Sequence, residues 1–189
     1  ILDVGGTIDA SAFTGPVAVT GSTGADTITT GSGWDTIDAG AGADSITTGN
    51  GTDTITSGAG SDTVDAGGGP DVLDEFGDGH TSITATASQV TWSGGDVDAI
   101  TGVERLRLIG DGASSTIDVS AFPGTAEVDG GSGDDRIVLG GGTQSITAAG
   151  SGGTDTIAIT SDAATTTLTD TTLVANGSHT ISGFEVADL

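Results

Sequence analysis

The sequence contains no cysteine, lysine, methionine or tyrosine, and it has only four Phe and two Trp among its 189 residues. Without cysteine, no disulfide can staple the chain. Large apolar side chains are too sparse for a thick core, so we expect a thin core built along a repeating coil. The sequence also has no H-E-x-x-H, no G-x-S-x-G and no nucleophilic cysteine. We therefore expect that this chain is not an enzyme.

Positive charge is almost absent as well. Three Arg stand against 27 acidic residues, of which 23 are Asp, and the net charge is −24. Such a surface repels nucleic acid and anionic membranes, and no apolar run is long enough to predict membrane insertion. Short carboxylates among 35 glycines are instead typical of sites for hard, oxygen-seeking cations.

A nonapeptide repeats without a gap from Gly21 to Asp74. The six copies read GSTGADTIT, TGSGWDTID, AGAGADSIT, TGNGTDTIT, SGAGSDTVD and AGGGPDVLD. Position 4 is always Gly, position 8 is always Ile, Val or Leu, and position 6 is always Asp: Asp26, Asp35, Asp44, Asp53, Asp62 and Asp71. The pattern returns in residues 130–158 with Asp135 and Asp155, but there Gln144 replaces one Asp.

The spacing within each nonapeptide predicts a six-residue turn followed by a three-residue strand, in which only position 8 faces the interior. Two nonapeptides make one coil, so alternate repeats stack on the same side. The predicted fold is all-β, a parallel β-roll or β-solenoid. It has two ladders of carboxylates. The first ladder is Asp26, Asp44 and Asp62, and the second ladder is Asp35, Asp53 and Asp71.

The spacing of stacked strands indicates which cation fits between the turns. Strands stack about 4.8 Å apart, and calcium–oxygen bonds are about 2.3–2.6 Å long, whereas magnesium requires about 2.0–2.1 Å and strict octahedral geometry. We therefore predict several Ca²⁺ ions, one between each successive pair of Asp in a ladder. That gives four sites, with a fifth, weaker one between Asp135 and Asp155. Asp78 is a candidate to close one end of the array.

This pattern resembles the RTX (repeats-in-toxin) family, whose motif is G-G-x-G-x-D-x-U-x with U aliphatic. The resemblance implies that each calcium also takes backbone carbonyls from positions 2 and 4 of one turn and from positions 1 and 3 of the next stacked turn. For the first ladder these are Ser22 and Gly24 with Ala39 and Ala41, then Gly40 and Gly42 with Ser57 and Ala59. For the second ladder they are Gly31 and Gly33 with Thr48 and Asn50, then Gly49 and Gly51 with Ala66 and Gly68. Ser22 departs from the glycine of the motif, and Gln144 lacks the charge for a site.

A longer repeat contains the short one. Residues 7–15 match residues 116–124, and Ile100-Thr101-Gly102-Val103-Glu104 matches Ile181-Ser182-Gly183-Phe184-Glu185. We predict two modules. The first, 1–115, has an opening strand (7–20), the RTX array (21–74) and a Thr-rich closing segment (75–108). The second, 116–189, has an opening segment (116–129), a short degenerate array (130–158) and a closing segment (159–189).

The Thr, Gly, Ala and Asp-rich composition and the segment D-A-S-A-F-T-G (9–15) are similar to the calcium-dependent surface-layer (S-layer) proteins of Gram-negative bacteria. That resemblance implies an extracellular structural protein of the cell surface, exported by type I secretion, in which calcium drives folding and assembly. Self-association or contact with neighbouring modules of a longer chain is then expected. The alternatives are a module of a large RTX adhesin and a non-catalytic RTX domain of a secreted enzyme.

A few residues outside the motif also carry predictions. Trp34 is expected to be an exposed aromatic without a role. Phe13, Phe122 and Phe184 are expected in the core or at its ends, because each lies in a segment that recurs. Asp96 and Asp98 are expected to be solvated.

Overall fold

A computed structural model describes residues 5–77, 79–140, 145–160, 166–168, 172–175, 177–183 and 186–188. These residues form strands and turns, and none of them lies in a helix. Accordingly, no helix long and apolar enough to cross a membrane is found among them. The predictions for Asp78, Gln144 and Phe184 fall outside the described residues.

The strands are short and follow one another closely along the chain. In chain order they are β1 (Thr7–Asp9), β2 (Ala18–Ser22), β3 (Thr27–Thr29), β4 (Ser32–Gly33), β5 (Thr36–Gly40), β6 (Ser45–Thr47), β7 (Asn50–Gly51), β8 (Thr54–Thr56), β9 (Thr63–Asp65), β10 (Val72–Phe76), β11 (Ser82–Thr86), β12 (Gln89–Trp92), β13 (Val97–Thr101), β14 (Arg105–Ile109), β15 (Thr116–Ala121), β16 (Thr125–Asp129), β17 (Arg136–Gly140), β18 (Ile146–Ala149), β19 (Thr156–Thr160), β20 (Thr166–Leu168), β21 (Thr172–Ala175), β22 (Gly177–Ser182) and β23 (Val186–Asp188).

The chain divides into two compact units. Unit 1 comprises Ile1–Glu75, Ser88–Val90 and Asp96–Leu106, and unit 2 comprises Phe76–Ala87, Thr91–Gly95 and Arg107–Leu189. Both are built from stacked parallel strands, which confirms the predicted β-solenoid. The two modules predicted from the longer repeat, 1–115 and 116–189, describe recurring segments of sequence and stay a prediction.

Unit 1 contains the nonapeptide array. One sheet has the order β1-β3-β6-β9-β13, a second has β2-β5-β8-β10, and β4 and β7 form a short third sheet within the turns. Every pairing in the array is parallel and in phase, with Thr27 opposite Ser45 and Thr36 opposite Thr54. This register confirms a coil of two nonapeptides with alternate repeats on the same side.

The core of unit 1 is a column of aliphatic side chains from position 8. Ile28, Ile37, Ile46 and Ile55 are at most 1% exposed, because the outer residues of each three-residue strand point to solvent. The prediction that only position 8 faces inward is wrong, however. Position 1 is buried too, and its side chains are small or polar: Thr30, Ala39, Thr48, Ser57 and Ala66.

Unit 2 has longer strands and a larger core. Its sheets have the orders β11-β15-β17-β19-β23 and β16-β18-β22-β21-β20, with parallel pairing except in the hairpins β20-β21 and β21-β22. Phe122 is 1% exposed, which confirms its predicted core position, whereas Phe13 of unit 1 is 63% exposed and does not lie in the core. The recurring segment therefore buries its aromatic side chain in unit 2 and exposes it in unit 1. Trp34 is exposed, as expected.

Candidate calcium-binding ladders

The position-6 aspartates of unit 1 stack directly above one another. In the first ladder the backbone N–H of Asp26 donates to Oδ1 of Asp44, and the N–H of Asp44 donates to Oδ1 of Asp62, both at 2.7 Å and both across 18 residues. In the second ladder Asp35 donates to Asp53 and Asp53 to Asp71, both at 2.8 Å. Each carboxylate is thus oriented by the turn one coil before it.

The second oxygen of these carboxylates is buried without a hydrogen-bond partner. This holds for Oδ2 of Asp35, Asp44, Asp53, Asp62 and Asp71, whose side chains are at most 3% exposed. A buried anionic oxygen that accepts no hydrogen bond is strongly destabilising unless a cation is bound or the group takes up a proton. The rows of orphaned oxygens are therefore candidate ligands for bound cations, and a proton is the alternative partner.

The pKa values show the same destabilisation of the anions. Burial, together with the neighbouring Asp98 and Asp44 carboxylates, raises the pKa of Asp62 to about 6. Burial raises the pKa of Asp44 as well, and the Asp26 carboxylate adds to this rise. Burial and the Asp53 and Glu104 carboxylates raise the pKa of Asp71. Proton and metal are therefore alternative ways to neutralise the same oxygens.

Glycine is required in the turns because successive turns lie almost in contact. Gly58 has φ of 95°, and a Cβ at this position would collide with the carbonyl oxygen of Gly40 in the turn one coil before. A side chain would therefore both strain the backbone and push the turns apart. Close stacking is what brings carbonyl oxygens of two turns around one position-6 carboxylate.

The predicted carbonyl ligands lie along these stacked turns. In the first ladder the N–H of Ala41 donates to the Ser22 carbonyl and the N–H of Ala59 to the Gly40 carbonyl, at 2.9 and 3.0 Å. In the second ladder Asn50 donates to Gly31 and Gly68 to Gly49, at 3.3 and 2.7 Å. The Thr48 carbonyl accepts from the Thr30 hydroxyl, and the Ala66 carbonyl from the Thr48 hydroxyl, both at 2.9 Å. A carbonyl has two lone pairs, so these bonds leave one for a metal.

Each aspartate of a ladder forms one rung, and Asp26, the first rung of the first ladder, differs from the others. Both the N–H and the hydroxyl of Ser22 donate to Oδ2 of Asp26, at 2.8 and 3.0 Å. Burial raises the pKa of Asp26, but these bonds and one from the N–H of Gly6 outweigh it, and the pKa lies below its ordinary value. Unlike Gly40 and Gly42 in the next stacked turn, Ser22 and Gly24 do not adopt a left-handed φ. Replacing glycine with Ser22 has therefore provided an internal partner for Asp26.

Unit 2 repeats the arrangement once. The N–H of Asp135 donates to Oδ1 of Asp155 at 2.9 Å, across 20 residues, and both side chains are buried. Burial, with Asp155, Asp111 and Asp129 nearby, raises the pKa of Asp135. The structure thus brings together the pair that the sequence predicted as a weaker site.

Among the described residues, two acids outside the nonapeptides accept hydrogen bonds from backbone N–H groups of the ladder aspartates. Asp98 is 0% exposed and accepts from the N–H of Asp62, so the prediction that it is solvated is wrong. Glu104 accepts from the N–H of Asp71. The recurrence of the segment 100–104 as 181–185 was a signal for Glu104, but no sequence pattern marks Asp98.

The donor set fits calcium better than other metals. The described residues contain no cluster of three or more His, Cys, Asp or Glu side chains close enough to hold a metal by themselves. A cation between two turns would therefore depend on two carboxylates and several backbone carbonyls. Calcium accepts six to eight oxygen ligands of this mixed kind, whereas zinc and copper favour nitrogen and sulfur.

A family model for the RTX calcium-binding nonapeptide repeat matches the chain in four copies, over residues 19–46, 40–73 and 127–143. This chain carries RTX calcium-binding repeats. The matched residues include all six position-6 aspartates of unit 1 and Asp135 of unit 2. None of the curated proteins matches the chain. The ladders are therefore those of an RTX calcium-binding module, and RTX repeat proteins are generally secreted.

Proposed function

We propose that this chain is a non-catalytic structural module of an extracellular bacterial surface protein of the S-layer type, exported by type I secretion. Calcium drives its folding and its association with further copies or neighbouring modules. The observation that supports this most directly is the pair of ladders in unit 1, where five buried carboxylates each keep one oxygen without a hydrogen-bond partner.

The proposed folding mechanism follows from these contacts. Without a cation, each ladder places carboxylates one strand spacing apart in a buried environment, and their repulsion opposes stacking. Calcium between two turns would neutralise them and would be held by the position-6 Asp and the turn carbonyls. Binding free energy is then folding free energy. A chain of this kind folds where calcium is abundant, as it is outside the cell.

The strand faces that point outward support a structural role. In the array the outward positions carry Thr, Ser and Asp, such as Thr27, Thr36 and Asp38, all of them exposed. A polar face of this kind suits packing against other copies through hydrogen bonds and shared cations. The alternative from the same residues is an isolated, extended module of an RTX adhesin.

Two measurements test the proposal. Circular dichroism should show that the chain gains β structure at about millimolar calcium, the range of extracellular sites, and that equal magnesium does not replace it. A spectrum that does not change on chelation would contradict the calcium mechanism. Electron microscopy with added calcium should show ordered two-dimensional arrays. Isolated rods under the same conditions would contradict the lattice and favour the adhesin.

A further inference from the structure

The segment Asp96–Leu106 belongs to the same compact unit as the nonapeptide array, although it lies outside the repeats. It contains strand β13 and the start of β14. Two of its acidic side chains, Asp98 and Glu104, hydrogen-bond to the last rungs of the two ladders. The segment therefore provides the next layer above the array.

Asp98 occupies the register of a fourth rung in the first ladder. The N–H of Ala99 donates to the Asp62 carbonyl at 2.8 Å, as the N–H of Thr63 does to the Asp44 carbonyl one layer below. The N–H of Asp62 donates to Oδ1 of Asp98 at 2.9 Å, across 36 residues. Both bonds repeat those that join successive rungs, so Asp98 is equivalent to a position-6 aspartate.

Glu104 takes the same register in the second ladder by a different route. The N–H of Arg105 donates to the Asp71 carbonyl at 3.0 Å, as that of Val72 does to Asp53 at 2.9 Å. The N–H of Asp71 donates to Oε2 of Glu104 at 3.0 Å, across 33 residues. The turn before Arg105 is three residues shorter than a nonapeptide turn, and the longer side chain of Glu still reaches the rung below.

Glu75 is a second buried carboxylate, besides Asp98, at the end of the first ladder. Glu75 takes position 1, where earlier coils have Ala39 and Ser57, and it is 1% exposed. The Ser57 hydroxyl donates to its Oε1 at 2.6 Å. Burial raises the pKa of Glu75 well above its ordinary value despite this bond, and the carboxylates of Asp98 and Asp62 add to the rise. The end of this ladder thus concentrates more negative charge than any layer below it.

We propose that Asp98 and Glu104 complete two further calcium sites, Asp98 with Asp62 and Glu104 with Asp71. The nonapeptide motif assigns neither site, and the inference rests on the proposed calcium binding by the ladders. Beyond the acids themselves, the supporting observation is Oδ2 of Asp62 and of Asp71. Both oxygens are buried without a hydrogen-bond partner, in side chains only 2% and 0% exposed.

The closing turn that carries Glu104 recurs in unit 2. Gly102 and Gly183 have φ of 69° and 70°. The Thr101 carbonyl accepts from the N–H of Ala66, and the Ser182 carbonyl accepts from the N–H of Gly150, both at 2.9 Å. The same short turn therefore stacks on the last nonapeptide turn of each array, which is the position of a ladder terminator. Glu185, the counterpart of Glu104, lies outside the described residues.

Calcium bound per folded chain tests these sites. We expect Asp98→Asn and Glu104→Gln each to lose one ion at a calcium concentration that saturates the wild type, and the double variant to lose two. Asp38→Asn and Glu127→Gln are matched controls, because both carboxylates are exposed on strands, and they should lose none. Circular dichroism of the same samples verifies folding.

The possible failures are distinguishable. A wild-type chain that binds no calcium would contradict the proposed function. A wild-type chain that binds calcium, with variants that keep every ion, would overturn the two further sites alone. If a variant does not fold, crystals of the wild-type chain grown with calcium decide. Anomalous density between Asp62 and Asp98 and between Asp71 and Glu104 supports the sites, and its absence there overturns them.

Discussion

The two units use the same turn but differ in what their strands bury. In unit 1 a coil is 18 residues long and buries one large aliphatic side chain per strand, as Ile28 and Ile37 show. In unit 2 the coil is 20 residues long. The strands β15 and β16 of one such coil together bury four apolar side chains, and Phe122, between the two strands, is buried as well. The four are Ile117, Val119, Ala126 and Val128.

The ladder carboxylates are distributed in the opposite way to the apolar side chains, because unit 1 has more of them than unit 2. Unit 1 stacks three Asp on each side, with Asp98 and Glu104 above them, whereas unit 2 has the single described pair Asp135 and Asp155. Burial of apolar area stabilises a coil, and stacked buried carboxylates destabilise it unless a cation is bound. Unit 1 therefore has less apolar core and more buried carboxylates than unit 2, so the two units should depend on calcium to different degrees.

Removal of calcium should give the largest difference between the units. In hydrogen exchange of the full chain, we expect the protection factors of amides in β6, β8 and β9 to fall about a hundredfold. One site gives this stabilisation when the calcium concentration is about a hundred times its dissociation constant. Amides of β15 and β17 should lose less than about tenfold, because their core persists. Equal losses of protection in both units would contradict a greater dependence of unit 1 on calcium. Magnesium in place of calcium is the control.

Substitution in the middle of a ladder should have the next largest effect. Asp44 belongs to two predicted sites, so Asp44→Asn should raise the calcium midpoint of folding by about tenfold, since ligand charge sets calcium affinity over decades. Asp26→Asn should raise it less, because Ser22 already binds Asp26. The matched control is the exposed Asp38→Asn. Similar midpoints for Asp44→Asn and Asp26→Asn would argue against shared sites.

Turn geometry should have an intermediate effect of opposite sign in the two units. Gly58→Ala in unit 1 should cost about 1–3 kcal/mol, because Gly58 has φ of 95° and lies against the Gly40 carbonyl. Ser151 of unit 2 holds φ of 72°. Ser151→Gly relieves this strain but removes the hydrogen bond from the Ser151 hydroxyl to Asp129, so it should stabilise by less than about 1 kcal/mol. Urea unfolding in saturating calcium measures both. Gly15→Ala, where a Cβ meets nothing within 4 Å, is the neutral control, and a loss as large as that of Gly58→Ala would refute the stacking argument.

Acidification should have the smallest effect, and its sign depends on calcium. The pKa of Asp62 is raised to about 6 in the fold, and those of Asp44 and Asp71 are raised too. Stability from these groups is present below the unfolded value of about 4 and is lost as pH rises through the folded value.

Calcium-free chain should therefore gain β structure as the pH falls from about 7 to about 5, through the raised pKa of Asp62. Calcium-loaded chain should lose bound metal over the same range, because protons compete for the same oxygens. Circular dichroism with parallel calcium measurements gives both. An apo spectrum that does not change with pH would show that carboxylate repulsion does not limit folding of unit 1.

Much of unit 1 could be predicted from the sequence. The nine-residue period fixed the coil length, the inward Ile28 and Ile37, and the pairing of Asp26 with Asp44 and of Asp35 with Asp53. A strict period leaves few registers, because a slip of one residue would turn every aliphatic side chain to solvent. Unit 2 was less predictable, since its coil gains two residues and its strands β15 to β19 bury two or more positions each.

The ends of the ladders could not be predicted in the same way. Asp98 and Glu104 follow the last aspartates of the ladders by 36 and 33 residues. The recurrence of residues 100–104 as 181–185 singles out Glu104 but not its place in a ladder, and no sequence pattern marks Asp98. Nothing in the sequence distinguishes Glu75 from the other acidic residues of this chain. Burial by segments distant in sequence gave Asp98 and Glu75 their environment, and stacking on the last turn of the second ladder brought Glu104 to Asp71.

The repeating part of this protein follows from its sequence alone: all-β coils, glycine turns and two columns of aspartate suited to calcium. Those features are local, and a period of nine repeats the same local solution in each turn. Where the two columns of aspartate end, and which acids lie at their ends, is visible only in the tertiary structure. A repeating sequence does not specify which copy is the last one. The final layer is therefore covered by a segment distant in sequence, which here contributes Asp98 and Glu104.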